Sequence, residues 1–209
     1  GMTTKLIMSF LRHLSEEEAF KTLEEAMPYK RLITAVGLDS SEVGNPPSKF
    51  QQVFAKAEAE GFLTVAHAGE EGPAEYVWEA LDLLNVSRVD HGNNSLDDEI
   101  LVQELVDRKM PLTVCPLSNL KLQVVKDLKK HPLREMLQKG LLATINSDDP
   151  AYFGGYMNAN YIEVAEALSL TKEEICQLTK NAFEASFLNE SQKNDFIARV
   201  EDYCKENSF

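Results

Sequence analysis

One feature of this chain constrains its fold more than any other. Short apolar runs rich in β-branched residues alternate with longer segments of helical period. The runs are Lys5–Phe10, Leu32–Asp39, Phe62–His67, Ser87–His91, Pro111–Cys115 and Leu142–Ser147. Helical segments are predicted over Ser15–Met27, Pro47–Glu60, Ala74–Leu84, Leu96–Lys109 and Leu133–Lys139. After the last run, three more are predicted near Tyr156–Leu168, Lys172–Phe187 and Glu190–Glu206. Strands that read as continuous apolar runs are buried on both faces. Their alternation with helices predicts right-handed βαβ units and a parallel sheet. Ser15 followed by Glu16, Glu17 and Glu18 is a capping-box pattern that marks the first helix start. No linker, low-complexity tract or repeated motif divides the sequence, so one domain is expected.

Composition narrows the function. The chain has 209 residues, 44% hydrophobic and 26% charged, enough apolar material for a sizeable core. The formal charge is −13, from 34 acidic against 21 basic residues. Such a surface repels phosphate backbones and anionic lipid, so neither nucleic acid nor membrane is an expected partner. A neutral or cationic small substrate suits it better. No apolar run approaches the roughly 18 residues of a membrane span. Cys115, Cys176 and Cys204 are odd in number, far apart and without a C-x-x-C pair. They point to neither a disulfide framework nor a thiolate zinc knuckle, and a reducing cytoplasm is expected. Gly1 before Met2 reads as the remainder of a cleaved expression tag, which leaves residues 2–209 for fold reasoning.

Polar residues gather where the runs end. One ends in Gly37-Leu38-Asp39-Ser40-Ser41-Glu42, another in His67-Ala68-Gly69-Glu70. A third ends in Asp90-His91-Gly92, and the last in Asn146-Ser147-Asp148-Asp149-Pro150. Each group alone has a bland explanation: aspartates cap helices, and proline suits the first helical position. In parallel α/β folds, however, ligands bind at the carboxyl ends of strands. Four such ends together predict a site. His67 and Asp148 are nitrogen and oxygen donors of the kind zinc takes. Glu70, three residues past His67, can carry a proton, and His91 can orient a water and stabilise charge on it. Asp149 is free to hydrogen-bond a substrate. His13 and His131 have no such company and are expected to be structural.

The motifs His67–Glu70 (HAGE), Asp90–Gly92 (DHG) and Ser147–Pro150 (SDDP) resemble the adenosine/adenine deaminase family of the metal-dependent amidohydrolases. The segments Gly37–Glu42 and Val114–Leu122 are more similar to its adenine deaminase branch. The resemblance implies a (β/α)8 TIM-barrel type of α/β fold and one Zn2+ per complete site. It implies His67 and Asp148 as metal ligands, and Glu70 as the acid that protonates the purine at N1. It implies His91 as the group that orients the attacking water, and Asp149 and Gly37 as substrate contacts, with Asp149 on N7. The implied reaction is hydrolytic deamination of adenine to hypoxanthine and ammonia, a step of purine salvage. The alternatives are adenosine deamination, or a remnant that binds purine or a partner without turnover. The other zinc-deaminase design, with H-x-E and P-C-x-x-C, is excluded because Cys115-Pro116 has no partner cysteine.

The family's first-strand His-x-His pair is absent from this sequence. Lys5–Phe10 resembles the third strand of the family's barrel. The expectation is therefore an incomplete barrel of about six βα units lacking the first two, where a closed barrel needs eight. Residues 2–209 are expected to be the C-terminal portion of a single deaminase barrel domain. Catalytic zinc generally takes three protein ligands plus water. With two of them, the chain alone is expected to hold zinc weakly and to be inactive. An open remnant exposes strand edges, which a second copy is expected to cover.

Overall fold

A computed structural model describes residues 3–207 of the chain. It divides into two compact units, Gly1–Leu101 and Val102–Phe209. Four strands build the first: β1 (Leu6–Leu11), β2 (Ile33–Asp39), β3 (Leu63–Ala68) and β4 (Arg88–His91). They pair in parallel in sequence order, β1 with β2, β2 with β3 and β3 with β4. Helices α1 (Glu16–Ala26), α2 (Gln51–Ala59) and α3 (Ala74–Asp82) connect them. Helix α4 (Glu99–Asp107) straddles the division. In the second unit β5 (Pro111–Val114) pairs in parallel with β6 (Leu142–Ile145). Helices α5 (Pro116–Lys121) and α6 (Leu133–Gln138) lie between those strands. Four more follow: α7 (Pro150–Phe153), α8 (Met157–Leu168), α9 (Lys172–Glu184) and α10 (Glu190–Glu206).

All six predicted runs are strands, and each is followed by a helix in the predicted order. The Ser15 hydroxyl caps α1 by accepting from the Glu18 amide at 3.3 Å. The segment predicted as one helix over Pro47–Glu60 opens instead as a 3-10 turn, Pro47–Phe50, before α2. Helix α5 was not among the predicted helices. Pro116 at its first position starts a short helix directly after β5, where six residues give too little periodicity to read. In the first unit the core forms where Phe10 of β1 meets Phe54 of α2 edge to face at 5.7 Å, both essentially fully buried. Each such ring contributes about 2–3 kcal/mol by leaving water. Val36, Leu38, Val65 and Ala66 continue that core.

The cysteine expectation needs correction. Cys176 on α9 and Cys204 on α10 form a disulfide, with Cα atoms 6.7 Å apart, while Cys115 is buried and takes no part in a disulfide. The two are 28 residues apart in sequence and belong to different helices, so no local spacing betrays them. Antiparallel packing of α10 on α9 brings them together, helped by Phe183 stacked on Phe196 at 4.8 Å. Among the described residues, no helix is long and apolar enough to cross a membrane.

His131, expected to be structural, is buried in the second unit. Its Nδ1 accepts from the Leu133 amide at 3.1 Å, which leaves Nε2 to donate to Asn119 Oδ1 at 3.2 Å. Burial pushes its pKa down from 6.5 to about 4. Between those values the unfolded chain binds a proton and the folded chain does not, so stability falls as pH falls through this window. At pH 5 the loss from this residue is about 2 kcal/mol relative to pH 7. Urea unfolding at the two pH values, on the chain and on His131→Gln, checks it. The variant is expected to lose correspondingly less on acidification.

Candidate active site

The first unit gathers three of the expected site residues. His67 sits next to last in β3, Glu70 two residues beyond that strand, and His91 ends β4. Parallel pairing aligns His67 with Asp90 and Ala68 with His91, which brings the two rings together. Their centroids are 4.7 Å apart, edge to face. Glu70 Oε1 lies 3.3 Å from His91 Nδ1, close enough for attraction although the angle is not that of a hydrogen bond. Glu70 and His91 are both buried, at 8% and 2% exposure, and His67 is half-buried.

Burial, then the neighbouring His67, push the His91 pKa down from 6.5 to about 3, against a smaller opposing pull from Asp90. His91 is therefore a neutral imidazole at pH 7 and offers a lone pair. It also has a φ of 69°, in the left-handed region that side chains other than glycine rarely adopt. Backbone strain of about 1–3 kcal/mol at one position is typical of functional sites.

His67, Glu70 and His91 each offer a ligand atom, and these atoms all lie within 4.8 Å of one another. Two imidazole nitrogens and a carboxylate oxygen are donors that zinc takes. The buried His91 Nδ1 has no hydrogen-bond partner among the described residues. By donor chemistry and by this orphaned atom, the first unit fits a metal ion. Gly37 lies in β2 opposite Ser9 of β1. A Cβ there would meet Ser9 Oγ at 2.7 Å and Val65 Cγ2 at 3.2 Å. Alternation along β3 puts Val65 on the same strand face as His67, and the missing side chain lets Ser9 and Val65 pack close.

Two residues outside the expected set hold this arrangement. Arg12, just past β1, is fully buried. Its Nη1 donates to the His67 carbonyl at 2.6 Å and its Nε to the Asn45 carbonyl at 2.8 Å. Burial lowers its pKa, and Glu42 is the largest influence raising it back. Glu42, 2% exposed, accepts from the amides of Gly69, Glu70 and Glu71. The sequence held a signal for both. A charged residue directly follows an apolar strand at Arg12, and Glu42 closes the polar strand end Gly37–Glu42.

In the second unit, Asp148 and Asp149 follow β6. Asp148 is exposed and also left-handed, with φ 56°. Its Oδ2 accepts from the Ser118 hydroxyl of α5 at 2.7 Å, and its Oδ1 from the Asp149 amide at 2.9 Å. Ser118 is a further residue missed by sequence reading, since it belongs to the unpredicted helix α5. Asp149 caps α7: its Oδ1 accepts from the Ala151 and Tyr152 amides at 3.0 and 3.1 Å. The bland capping chemistry of Asp-Asp-Pro is thus realised in Asp149, and the two carboxylates have different partners.

Parallel strands with histidines and carboxylates at their carboxyl ends define a protein of the α/β-barrel class with an N/O-donor site. The chain belongs to the adenosine deaminase family, whose family model, described as Adenosine deaminase, matches residues 1–203. It is 63% identical to an adenine deaminase of Acinetobacter baylyi over 96% of this chain and 60% of that protein. A crystal structure of adenine deaminase from Arthrobacter aurescens superposes with a TM-score of 0.94 at 45% identity, covering 97% of this chain and 62% of the other. An amidohydrolase from Burkholderia ambifaria with bound Zn superposes with a TM-score of 0.89 at 28% identity, covering 97% and 57%. The chain spans about 60% of the length of the curated relatives it matches.

Arg12→Met is expected to destabilise the chain by about 3 kcal/mol, because it leaves the His67 and Asn45 carbonyls without their donor and removes the positive charge that interacts with the buried Glu42. Urea unfolding at pH 7 measures this. A cost below about 1 kcal/mol would mean that the guanidinium is not braced as described.

Proposed function

We propose that this chain is the C-terminal portion, residues 2–209, of a deaminase barrel domain whose reaction is the hydrolysis of adenine to hypoxanthine and ammonia. The observation that carries the reading is the close set His67, Glu70 and His91, borne on the motifs that resemble the family. The adenine deaminase names of its relatives favour the free base over the nucleoside. In this reading His67 and Asp148 are metal ligands. Zinc, when bound, lowers the pKa of water toward about 7 and so supplies a nucleophile at neutral pH.

The chain's own residues supply the rest. Glu70 gives a proton to purine N1 as water adds at C6, and its burial suits a group that holds and releases a proton. His91, kept neutral by burial, accepts a hydrogen bond from the attacking water and orients it. Asp149 accepts a hydrogen bond from purine N7–H of the free base, with its own Oδ1 fixed by the α7 cap. Gly37 is proposed to contact the base through its backbone, on a strand whose missing side chain lets Ser9 and Val65 pack close. The cytoplasm is the compartment proposed for this reaction, with Cys176–Cys204 as a disulfide that would have to persist there.

Two ligands seldom hold zinc against water, because the protein must complete the coordination at a fixed geometry. This chain alone is therefore proposed to bind zinc weakly and to turn over little. Extension by a segment bearing the first-strand His-x-His pair is expected to restore both. Glu70→Gln in the extended chain is expected to cut turnover about 100-fold or more and to leave the metal in place, since in this reading His67, Asp148 and the His-x-His pair hold the metal, and Glu70, although close enough to offer a donor atom, moves the proton. Metal analysis beside ammonia release on adenine and adenosine, for the three proteins, checks this. Full zinc and full turnover in the 209-residue chain would refute the two-ligand reading, and faster turnover of adenosine would reverse the substrate.

A second copy is proposed to cover the edge at β1. Leu6 and Leu11 of that strand, and Leu32 just before β2, are 46–65% exposed, an apolar surface next to unpaired backbone groups. Light scattering is expected to give a dimer mass for the 209-residue chain, and a stable monomer would remove the proposal.

A further inference from the structure

Glu42 is remote in sequence from every motif that carries the chemistry, yet its carboxylate meets the backbone of one of them. Gly69 donates to its Oε1 at 2.6 Å, and Glu70 and Glu71 donate to its Oε2 at 3.0 and 2.8 Å. Three successive amides turned inward form a concave nest of the kind that binds anions. Here the anion is a side chain of the same protein. The nest exists because Gly69 has φ +69° and because a Cβ there would strike Val77 at 2.7 Å. Gly72 completes it: a Cβ at that position would lie 2.7 Å from Glu42 Oε1 and 2.9 Å from its Cδ. On the outer side, the Asn94 amide donates to the Gly72 carbonyl at 2.8 Å and reaches the Glu70 carbonyl at 3.3 Å. Arg12 holds the strand just before, through the His67 carbonyl.

Surface turns are not built this way. A buried carboxylate bound by three amides is a strong, charge-assisted grip, and it falls on the residue whose side chain lies 3.3 Å from His91. We propose that Glu42 is a positioning residue for the deamination reaction: its carboxylate clamps the Gly69–Glu71 backbone and so fixes the Glu70 carboxylate where a proton can pass to the purine. The proposal rests on the reading of Glu70 as the proton carrier. The clamp does not touch substrate, so its effect falls on the rate of the chemical step and not on substrate affinity.

Glu42→Gln tests the clamp with little change of volume. Both carboxylate oxygens accept amides, so one of them must become an NH2 group facing an N–H donor. Glu42→Asp keeps the charge on a shorter stem, and Gly72→Ala sets a Cβ against both the Glu42 carboxylate and the Tyr76 ring. Amide hydrogen exchange is measured on the 209-residue chain. Kinetics and zinc content are measured on the chain extended with the His-x-His segment, beside Glu70→Gln. In Glu42→Gln the Gly69, Glu70 and Glu71 amides are expected to exchange at least about tenfold faster, with Val65 and Ala66 unchanged. The kcat on adenine is expected to fall about 10–100-fold with KM within about threefold and zinc retained, and Glu42→Asp is expected to recover part of the loss. Gly72→Ala should reproduce the pattern. Unchanged exchange at the three amides overturns the clamp. Faster exchange with normal kcat, or loss of fold in both Glu42→Gln and Gly72→Ala, makes Glu42 purely structural and overturns the positioning role. Turnover that survives Glu70→Gln removes the reading of Glu70 itself, and with it the proposal, whatever the exchange rates show.

Discussion

A buried carboxylate must be satisfied, and so must every buried backbone amide. In the first unit these two demands meet at one point, where Glu42 takes the three amides that follow β3. Without that anion, the Gly69, Glu70 and Glu71 amides would lose the acceptor they share. Without the amides, Glu42 would be an unpaired charge. Arg12, buried beside it, offsets the charge and ties the other end of the same segment through the His67 carbonyl. This pairing holds the backbone on both sides of the segment that carries His67 and Glu70, two of the three converging groups.

Electrostatics then set the protonation state. His91 is deeply buried beside a second imidazole, and both conditions disfavour a positive charge. The same burial that holds His91 neutral leaves its Nδ1 without a hydrogen-bond partner among the described residues. An unsatisfied buried nitrogen costs about 1–3 kcal/mol. Together with the left-handed backbone at His91, it represents stability given up at a place where donor atoms converge. Asp148 shows the same left-handed strain at the end of β6. His91 and Asp148 are two of seven non-glycine residues with left-handed backbone among the described residues, the others being Ser40, Asn85, Lys109, Gln123 and Ser169.

The Asp148–Asp149 pair shows that structural and chemical roles need not compete. Asp149 is an N-cap of ordinary geometry, and its capping fixes one carboxylate oxygen on α7. Asp148 is held by different partners, the Ser118 hydroxyl and the Asp149 amide.

The sequence by itself determined the order and type of the elements, because apolar periodicity is local and every strand here is a short apolar run. It also placed His67, Glu70, His91, Asp148 and Asp149 at strand ends, since a polar residue that closes a buried run is visible without any fold. Tertiary structure alone decided the rest. The Glu42 clamp joins residues 27 to 29 positions apart, Arg12 reaches His67 across 55, and Cys176 meets Cys204 across 28. None of these pairs shares a turn or a strand, so no window along the chain contains both partners. Helix α5 escaped for the opposite reason: it is too short to show a period, and Ser118 went with it. Local pattern encodes which face of an element is buried. Which distant groups satisfy one another is fixed only when those faces are packed together.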